Sequence, residues 1–397
     1  MSPAVFRCVL RSANTAWRIA VFAAAILLGS GCACHAVTTE SLQAEYLWMV
    51  TLDGLRPEEL FTGADRRLID KEIGGVKDPA ATLRQFWVDD PLQRRRRLMP
   101  FFWDVVAKQG QVFGSVEHDS AVLVKNGRYF SYPGYQEILC GYPDDRVDSN
   151  DKKNNENVSV LEWLSQRERF ANKVAAFASW DVFPYILNAE RSCLYVNAGW
   201  QEIDFAENDS IKNLLNRSIR ETPHYWRGAR FDFMTFTAAM QYVRAKQPSV
   251  LYLALDETDD WCHDGRYDLY LEAARRSDQY LQELWEYAQS SAKYRDKTAM
   301  IITTDHGRGD GREGWKNHGS ELPGSERIWM AVIGPDTPAL GVRSTITTTQ
   351  GQYAASAAML LGEDFTTSSA KVAAPLPDIV ASESRSNVAA ARASTAK

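Results

Sequence analysis

The sequence predicts an α/β protein built on an open, mostly parallel sheet, with its chemistry along the carboxyl edge of the strands. Three short apolar runs carry that expectation: Tyr46–Leu52, Ser249–Leu255 and Ala299–Thr304 each stop abruptly at an acid, namely Asp53, Asp256 and Asp305. Runs that are apolar at successive positions read as strands buried on both faces, as in a parallel sheet covered by helices. Residues just beyond such strand ends are where open α/β sheets place their functional groups.

The first forty residues differ from the rest. Arg7, Arg11 and Arg18 precede an apolar run from Ile19 to Leu28, and small residues follow up to Ala36. An apolar core of this length is too short to span a bilayer and has the layout of an export signal, expected over residues 1–36. Leu28-Gly29-Ser30-Gly31-Cys32 resembles a bacterial lipoprotein processing site, with the leucine one position further from the cysteine than usual. Cleavage before Cys32 would tether the mature chain to a membrane through lipidated Cys32, whereas cleavage near Ala36 would release it. Both place the mature protein outside the cytoplasm, which is the periplasm if the cell is Gram-negative.

Tyr46–Leu52 ends in Asp53-Gly54, and Pro57-Glu58-Glu59-Leu60 reads as a helix start, so Asp53 is either a ligand at a strand end or a cap. Arg94–Arg97 reads as an exposed face or helix start. Helical spacing runs from Leu98 to Gln109 and stops at Gly110; Val112–Val116 and Ala121–Val124 follow as strands. Ser131 heads a short helix closed by Gly141, which sets its hydroxyl at a helix N-terminus favourable to an oxyanion. Asp144–Asn157 is a polar loop, Val158–Phe170 an amphipathic helix and Lys173–Ala178 a strand, a βαβ rhythm. Residues 191–247 show no period and read as a cap. A helix over Tyr267–Ala288, a strand over Arg327–Ile333 and a small-residue helix over Gln352–Leu361 complete the body, expected to span residues 41–365. The Ser- and Ala-rich segment 366–397 reads as a disordered tail.

With 397 residues, 45% hydrophobic composition and 12 Trp, the chain can bury a large core, and a net charge of −6 gives no basis for nucleic-acid binding. Removing the signal from the six cysteines leaves Cys140, Cys193 and Cys262, without a CxxC pair, which excludes a zinc ribbon. Asp259 and His263 lie four apart beyond a strand, on one side of a helical turn, a spacing that suits a single metal ion. Asp305-His306 and His318 add an acid and two imidazoles, so three of the six histidines fall in strand-end segments.

The ordered set Asp53, Ser131, Asp259 with His263, Asp305-His306 and His318 resembles the alkaline phosphatase superfamily, in particular its type I phosphodiesterases and nucleotide pyrophosphatases. Ser131-Tyr132-Pro133, ten residues before Gly141-Tyr142-Pro143, fits the nucleophile pattern of that branch. The resemblance implies a doubly wound sheet with helices on both faces and a small cap or insert. It implies one metal held by Asp259, His263 and His318, a second held by Asp53, Asp305 and His306, and Ser131 as the nucleophile bridging toward the second. Two cations about 4 Å apart stabilise attacking and leaving oxygens, and mixed His and Asp ligands suit zinc, with manganese as the alternative. The implied activity is hydrolysis of a small-molecule phosphoester through a phosphoseryl intermediate, on a diester or pyrophosphate.

Gly134 stands where many diesterases of the branch carry a phosphoryl-binding Asn, Cys262 replaces the usual glycine before His263, and Thr258 replaces the usual proline before Asp259. A monoesterase is the main alternative, since Arg308, Arg312 and Lys316, between His306 and His318, can contact the extra charge or simply be solvated loop cations. A sulfatase is less favoured because Tyr135 occupies the place of that motif's Arg, and a non-catalytic metal-binding module because the ligand set is complete.

Overall fold

The computed structural model describes residues 42–381. The export signal expected over residues 1–36, with Cys32, lies outside them, as do residues 382–397.

Eleven strands are described: β1 (Tyr46–Leu52), β2 (Gln111–Phe113), β3 (Ser120–Leu123), β4 (Val174–Ala178), β5 (Tyr195–Ala198), β6 (Val250–Leu255), β7 (Thr298–Thr303), β8 (Arg327–Ile328), β9 (Met330–Ile333), β10 (Gly341–Val342) and β11 (Ile346–Thr349). Eight form one sheet in the order β10-β2-β9-β7-β1-β6-β4-β5, and β11-β3-β8 form a smaller one. From β7 through β5 every pairing is parallel, and β9 joins antiparallel to β7 and β2.

The three strands read first from the sequence lie side by side in the middle of the sheet. Their alternate side chains feed two cores. Trp48, Val50, Leu253 and Ile302 pack with the helices Asp232–Lys246 and Tyr267–Ser290; Met49, Tyr252 and Ile301 pack with Ser131–Cys140, Val160–Ser165 and Gln352–Leu360. Each such side chain contributes about 1.5–3 kcal/mol when fully buried, so the strand ends are held by a platform able to carry clustered charge. Register places those ends level: Leu52 pairs with Leu255 and Thr51 with Thr303. Asp53, Asp256 and Asp305 therefore emerge at one edge.

Several sequence expectations need correction. The helix expected over Leu98–Gln109 is divided, because Pro100 disfavours helical geometry at Met99 (φ −130°, ψ 74°); one helix runs Pro91–Leu98 and a wide turn over Phe102–Val106 leads into Ala107–Gln109. Arg94–Arg97 belong to the first of these. The Arg327–Ile333 strand breaks at Trp329, whose buried indole donates to the Leu55 carbonyl. Residues 191–247 are not a separate cap: β5 is the sheet's edge strand, Asp232–Lys246 covers the sheet, and Tyr195, Phe205 and Tyr242 pack around Phe177 of β4. The tail is ordered as far as it is described, since Leu376, Ile379 and Val380 are buried and Leu376 N–H donates to the Ser356 hydroxyl. Cys140 and Cys262 are buried thiols.

Candidate active site

The site forms where β1, β6 and β7 end. Asp53 leaves β1 and Asp305 follows β7, each essentially inaccessible. Gly54 turns the chain at φ 62°, a conformation that favours glycine, and a Cβ there would lie 2.8 Å from Asp259 Oδ1. Its N–H donates to Asp305 Oδ1 at 3.1 Å. Asp259 and His263 come from the helix Glu257–His263 beyond β6, and His318 from the loop after Asp305-His306.

These six residues form two groups whose ligand atoms converge, Asp53 with Asp305 and His306, and Asp259 with His263 and His318. In the first, His306 Nε2 is 3.4 Å from Asp53 Oδ1 and 3.3 Å from Asp305 Oδ2. In the second, His263 Nε2 is 3.2 Å from Asp259 Oδ2 and 3.0 Å from His318 Nε2. Asp259 Oδ1 spans the two, 3.8 Å from His306 Nε2 and 3.7 Å from His318 Nε2. The His306 and His318 rings stack with centroids 3.7 Å apart.

The protonation states follow from the surroundings. His306 Nδ1 donates to the Gly307 carbonyl and His318 Nδ1 to that of Tyr129, each at 2.9 Å, which leaves the lone pairs on Nε2 facing the carboxylates. Burial, reinforced for His306 by His318, holds both rings neutral, with His306 well below its usual range and His318 at about 4. Burial and then the neighbouring acids raise the Asp53 carboxyl, and raise Asp305 to about 8. Asp259 is the exception. Burial pushes it up, but the Arg308 guanidinium hydrogen-bonded to it, with His263 and His318, holds it well below the usual carboxylate range.

Asp53 Oδ1 and Asp305 Oδ2, the oxygens facing His306 Nε2, are buried and accept no hydrogen bond among the described residues. Orphaned acceptors beside an imidazole lone pair are costly unless a cation sits among them. The imidazole nitrogens of His263 and His318, 3.0 Å apart, meet the same need. The donor set therefore fits two divalent ions, and mixed imidazole and carboxylate donors are the chemistry of zinc and manganese sites.

Ser131 is the first residue of the helix Ser131–Cys140, which follows extended Phe130 and closes at Gly141 with φ 83°. Its Oγ is buried 3.4 Å from Nε2 of His306, a member of the first group. The same helix carries Tyr135, four residues on, whose hydroxyl donates to Asp53 Oδ2 at 2.8 Å. All seven residues singled out from the sequence thus converge.

The four possible substrate contacts divide: Gly134 and Arg308 lie against the ligands Asp305 and Asp259, while Arg312 and Lys316 do not reach them. A Cβ on Gly134 would lie 2.5 Å from the Asp305 carbonyl oxygen, so glycine there lets the nucleophile's helix rest on the ligand strand and offers nothing to a substrate. Arg308 is buried, spent on Asp259 and on the carbonyls of Trp315 and Lys316. Arg312 leans on Asp70 and Lys316 on Glu313, both at the surface. Sequence reading missed Tyr135, whose signal was its four-residue spacing from Ser131 on one helix face. It also missed the Tyr129 carbonyl, presented to His318 by a backbone at φ 56°.

The family described as type I phosphodiesterase / nucleotide pyrophosphatase matches residues 69–320, which include every proposed ligand except Asp53. No curated protein matches the chain. Among solved structures, a sulfatase candidate from Bacteroides thetaiotaomicron is similar with a TM-score of 0.51 and 9% identity, over 87% of this chain and 75% of that one. That likeness shows the fold. A phosphonate monoester hydrolase from Silicibacter pomeroyi is similar at TM-score 0.49 and 12% identity, over 81% of this chain and 74% of that one. The lipoteichoic acid synthase LtaP from Listeria monocytogenes is similar at TM-score 0.48 and 12% identity, over 81% and 72%.

Proposed function

The chain belongs to the type I phosphodiesterase / nucleotide pyrophosphatase family and is a hydrolase of phosphoric esters; from that premise we propose that it is an exported two-metal enzyme cutting a phosphodiester or pyrophosphate through a phosphoseryl intermediate. The observation that carries this reading is the Ser131 hydroxyl, buried 3.4 Å from His306 Nε2 beside two adjoining ligand groups.

Two zinc ions, or manganese, held by the two groups would draw off charge from the attacking and departing oxygens. The chain's own contribution is positional. The Ser131 hydroxyl is held 3.4 Å from His306 Nε2, inside the first ligand group, and its proton leaves to solvent or to the departing oxygen as it attacks phosphorus. Attack forms the Oγ–P bond and expels the alcohol or phosphate; water then cleaves Oγ–P and restores the serine. The positive end of the helix dipole at Ser131 favours the anion throughout.

The diester preference rests on charge. A monoester carries about two negative charges and calls for cationic side chains around the phosphoryl group, yet Arg308, Arg312 and Lys316 are all committed elsewhere. Sulfate ester cleavage is disfavoured because Tyr135, standing where a sulfatase carries Arg, is bound to Asp53. Export, with a membrane tether through Cys32 as one outcome, rests on the signal-like layout of residues 1–36.

The test compares kcat/KM of the metal-loaded enzyme for bis-p-nitrophenyl phosphate and p-nitrophenyl phosphate, with acid quench and mass spectrometry of the peptide containing Ser131. A diester preference and a phosphorylated Ser131 are expected. A monoester preference above about tenfold, roughly 1.4 kcal/mol, would overturn the diester assignment.

A further inference from the structure

A cavity of about 530 Å³ opens beside the site, between the turn Asn126–Phe130 that leads into Ser131 and the loop that carries His318. Because His318 is one of its walls and Phe130 precedes Ser131, the cavity has room for the body of a substrate whose phosphorus reaches Ser131. Arg128 and Phe130 line the nucleophile side, and Asp145 and Glu321 the other.

Arg128 is the notable wall. Among the described residues no carboxylate, carbonyl or ring takes its guanidinium, although Asp145 and Glu321 share the cavity. It is half-buried, whereas both acids are exposed. An unpaired, partly buried guanidinium interacts more strongly than carboxylates screened by water at a rim. The turn that presents it is built rather than loose. Asn126 Oδ1 accepts the N–H groups of Arg128 and Tyr129 at 2.9 and 3.0 Å, and Glu137 Oε2 accepts the N–H groups of Lys125 and Asn126, each at 2.9 Å. The same turn supplies the Tyr129 carbonyl that orients His318, so the backbone of Arg128 is tied to the ligand framework.

We propose that Arg128 is a specificity-determining residue that binds one anionic group, a carboxylate or phosphate, on the portion of the substrate beyond the scissile phosphorus. A planar guanidinium pairs with either group through two parallel hydrogen bonds. The rim acids, meanwhile, disfavour a long polyanion, so the fitting substrate is a diester or pyrophosphate with a single further charged group. This assignment rests on the phosphodiesterase reading above, and the experiment separates the two.

Three non-hydrolysable phosphonate analogues of a p-nitrophenyl diester, with ethyl, 2-carboxyethyl and choline arms, are titrated calorimetrically into metal-loaded wild-type protein, Arg128→Gln and Arg128→Lys. The wild type is expected to bind the carboxyethyl arm at least about tenfold more tightly than the ethyl arm, with Arg128→Gln erasing the difference and Arg128→Lys keeping part of it. The proposal is overturned by a preference that survives in Arg128→Gln or by tighter binding of the choline arm. It is also overturned if Arg128→Gln weakens all three analogues equally while kcat/KM for p-nitrophenyl phosphate collapses, since the guanidinium would then serve the reacting phosphoryl group. Turnover of the corresponding diesters reads the parent assignment. Absent turnover with the arm preference intact removes the diesterase reading and leaves Arg128 supported.

Discussion

The two halves of the site are built differently. Asp53, Asp305 and His306 come from the ends of neighbouring central strands and are sealed from water, with two carboxylate oxygens lacking any partner among the described residues. Asp259, His263 and His318 come from a short helix and a loop; the His263 side chain is 41% exposed, and Asp259 is already neutralised by Arg308. The inner half therefore holds its carboxyls protonated until a cation takes the place of the proton, while the outer half has a built-in counter-charge and access to solvent. Where the fold is most rigid, its need for a cation is greatest. The half open to substrate is the half that tolerates an empty ligand position.

Ser131 carries the attacking hydroxyl of the proposed reaction, so Ser131→Ala should have the largest effect on turnover. We expect kcat to fall by at least about a thousandfold, roughly 4 kcal/mol, with both metals and the unfolding midpoint unchanged, while Ser131→Thr keeps partial activity. Normal turnover by the alanine variant would require direct attack by water. Elemental analysis should next divide the halves. His306→Ala should empty the inner position, and His263→Ala the outer one, refillable at raised metal concentration. Two ions bound in either variant at stoichiometric metal would contradict the ligand assignment.

Metal removal sharpens the contrast through pH. In the metal-free protein, burial and then Asp259 raise the Asp305 carboxyl from 3.8 to about 8, so the fold prefers it protonated. That contribution is fully present below the unfolded value and is lost as pH rises through about 8. The unfolding midpoint should fall between about pH 5 and pH 8.5 more steeply in the chelated protein than in the metal-loaded one, where only buried carboxyls outside the ligand groups, such as Asp232, Asp278 and Glu137, still titrate. Equal slopes for the chelated and metal-loaded proteins would mean the inner carboxylates are compensated by something other than a cation.

Within the loop joining the halves, position decides cost. Arg308→Met leaves Asp259 buried without its partner and should lower stability by about 3–5 kcal/mol, whereas Arg312→Ala and Lys316→Ala remove surface pairs worth about 0–1 kcal/mol. Denaturant midpoints would measure both, and a mild Arg308 variant would show that Asp259 finds another counter-charge.

What could be read from the sequence was local. Apolar runs ending in Asp53 and Asp305 announce buried strands and a shared edge, and the spacing from Asp259 to His263 is a property of one helical turn. What could not be read was long-range. Arg308 stands two residues from a ligand like any loop cation, and only the fold turns it inward to Asp259. The aromatic residues of 191–247 look peripheral because they lack a period, yet Phe205 and Tyr242 close the core beneath the sheet edge. Small residues in the tail signal disorder by composition, while three apolar side chains, Leu376, Ile379 and Val380, suffice to anchor it.

Tyr135 offers the finest test. Its hydroxyl holds Asp53 Oδ2 at 2.8 Å, so that Oδ1 is the oxygen turned toward His306. Removing a hydrogen bond that orients a ligand weakens metal affinity by about 10–100-fold in comparable sites. Tyr135→Phe keeps the ring, which packs edge-on to Phe183 at 4.7 Å, and so leaves the core intact. Inner-site affinity, measured by competition with a chelator, should therefore drop by about that factor while outer-site affinity and the unfolding midpoint of the loaded protein change little. Equal weakening of both sites would instead mean that the halves act as one unit, joined through Asp259 Oδ1, and would dissolve the distinction between a rigid inner and a tolerant outer position.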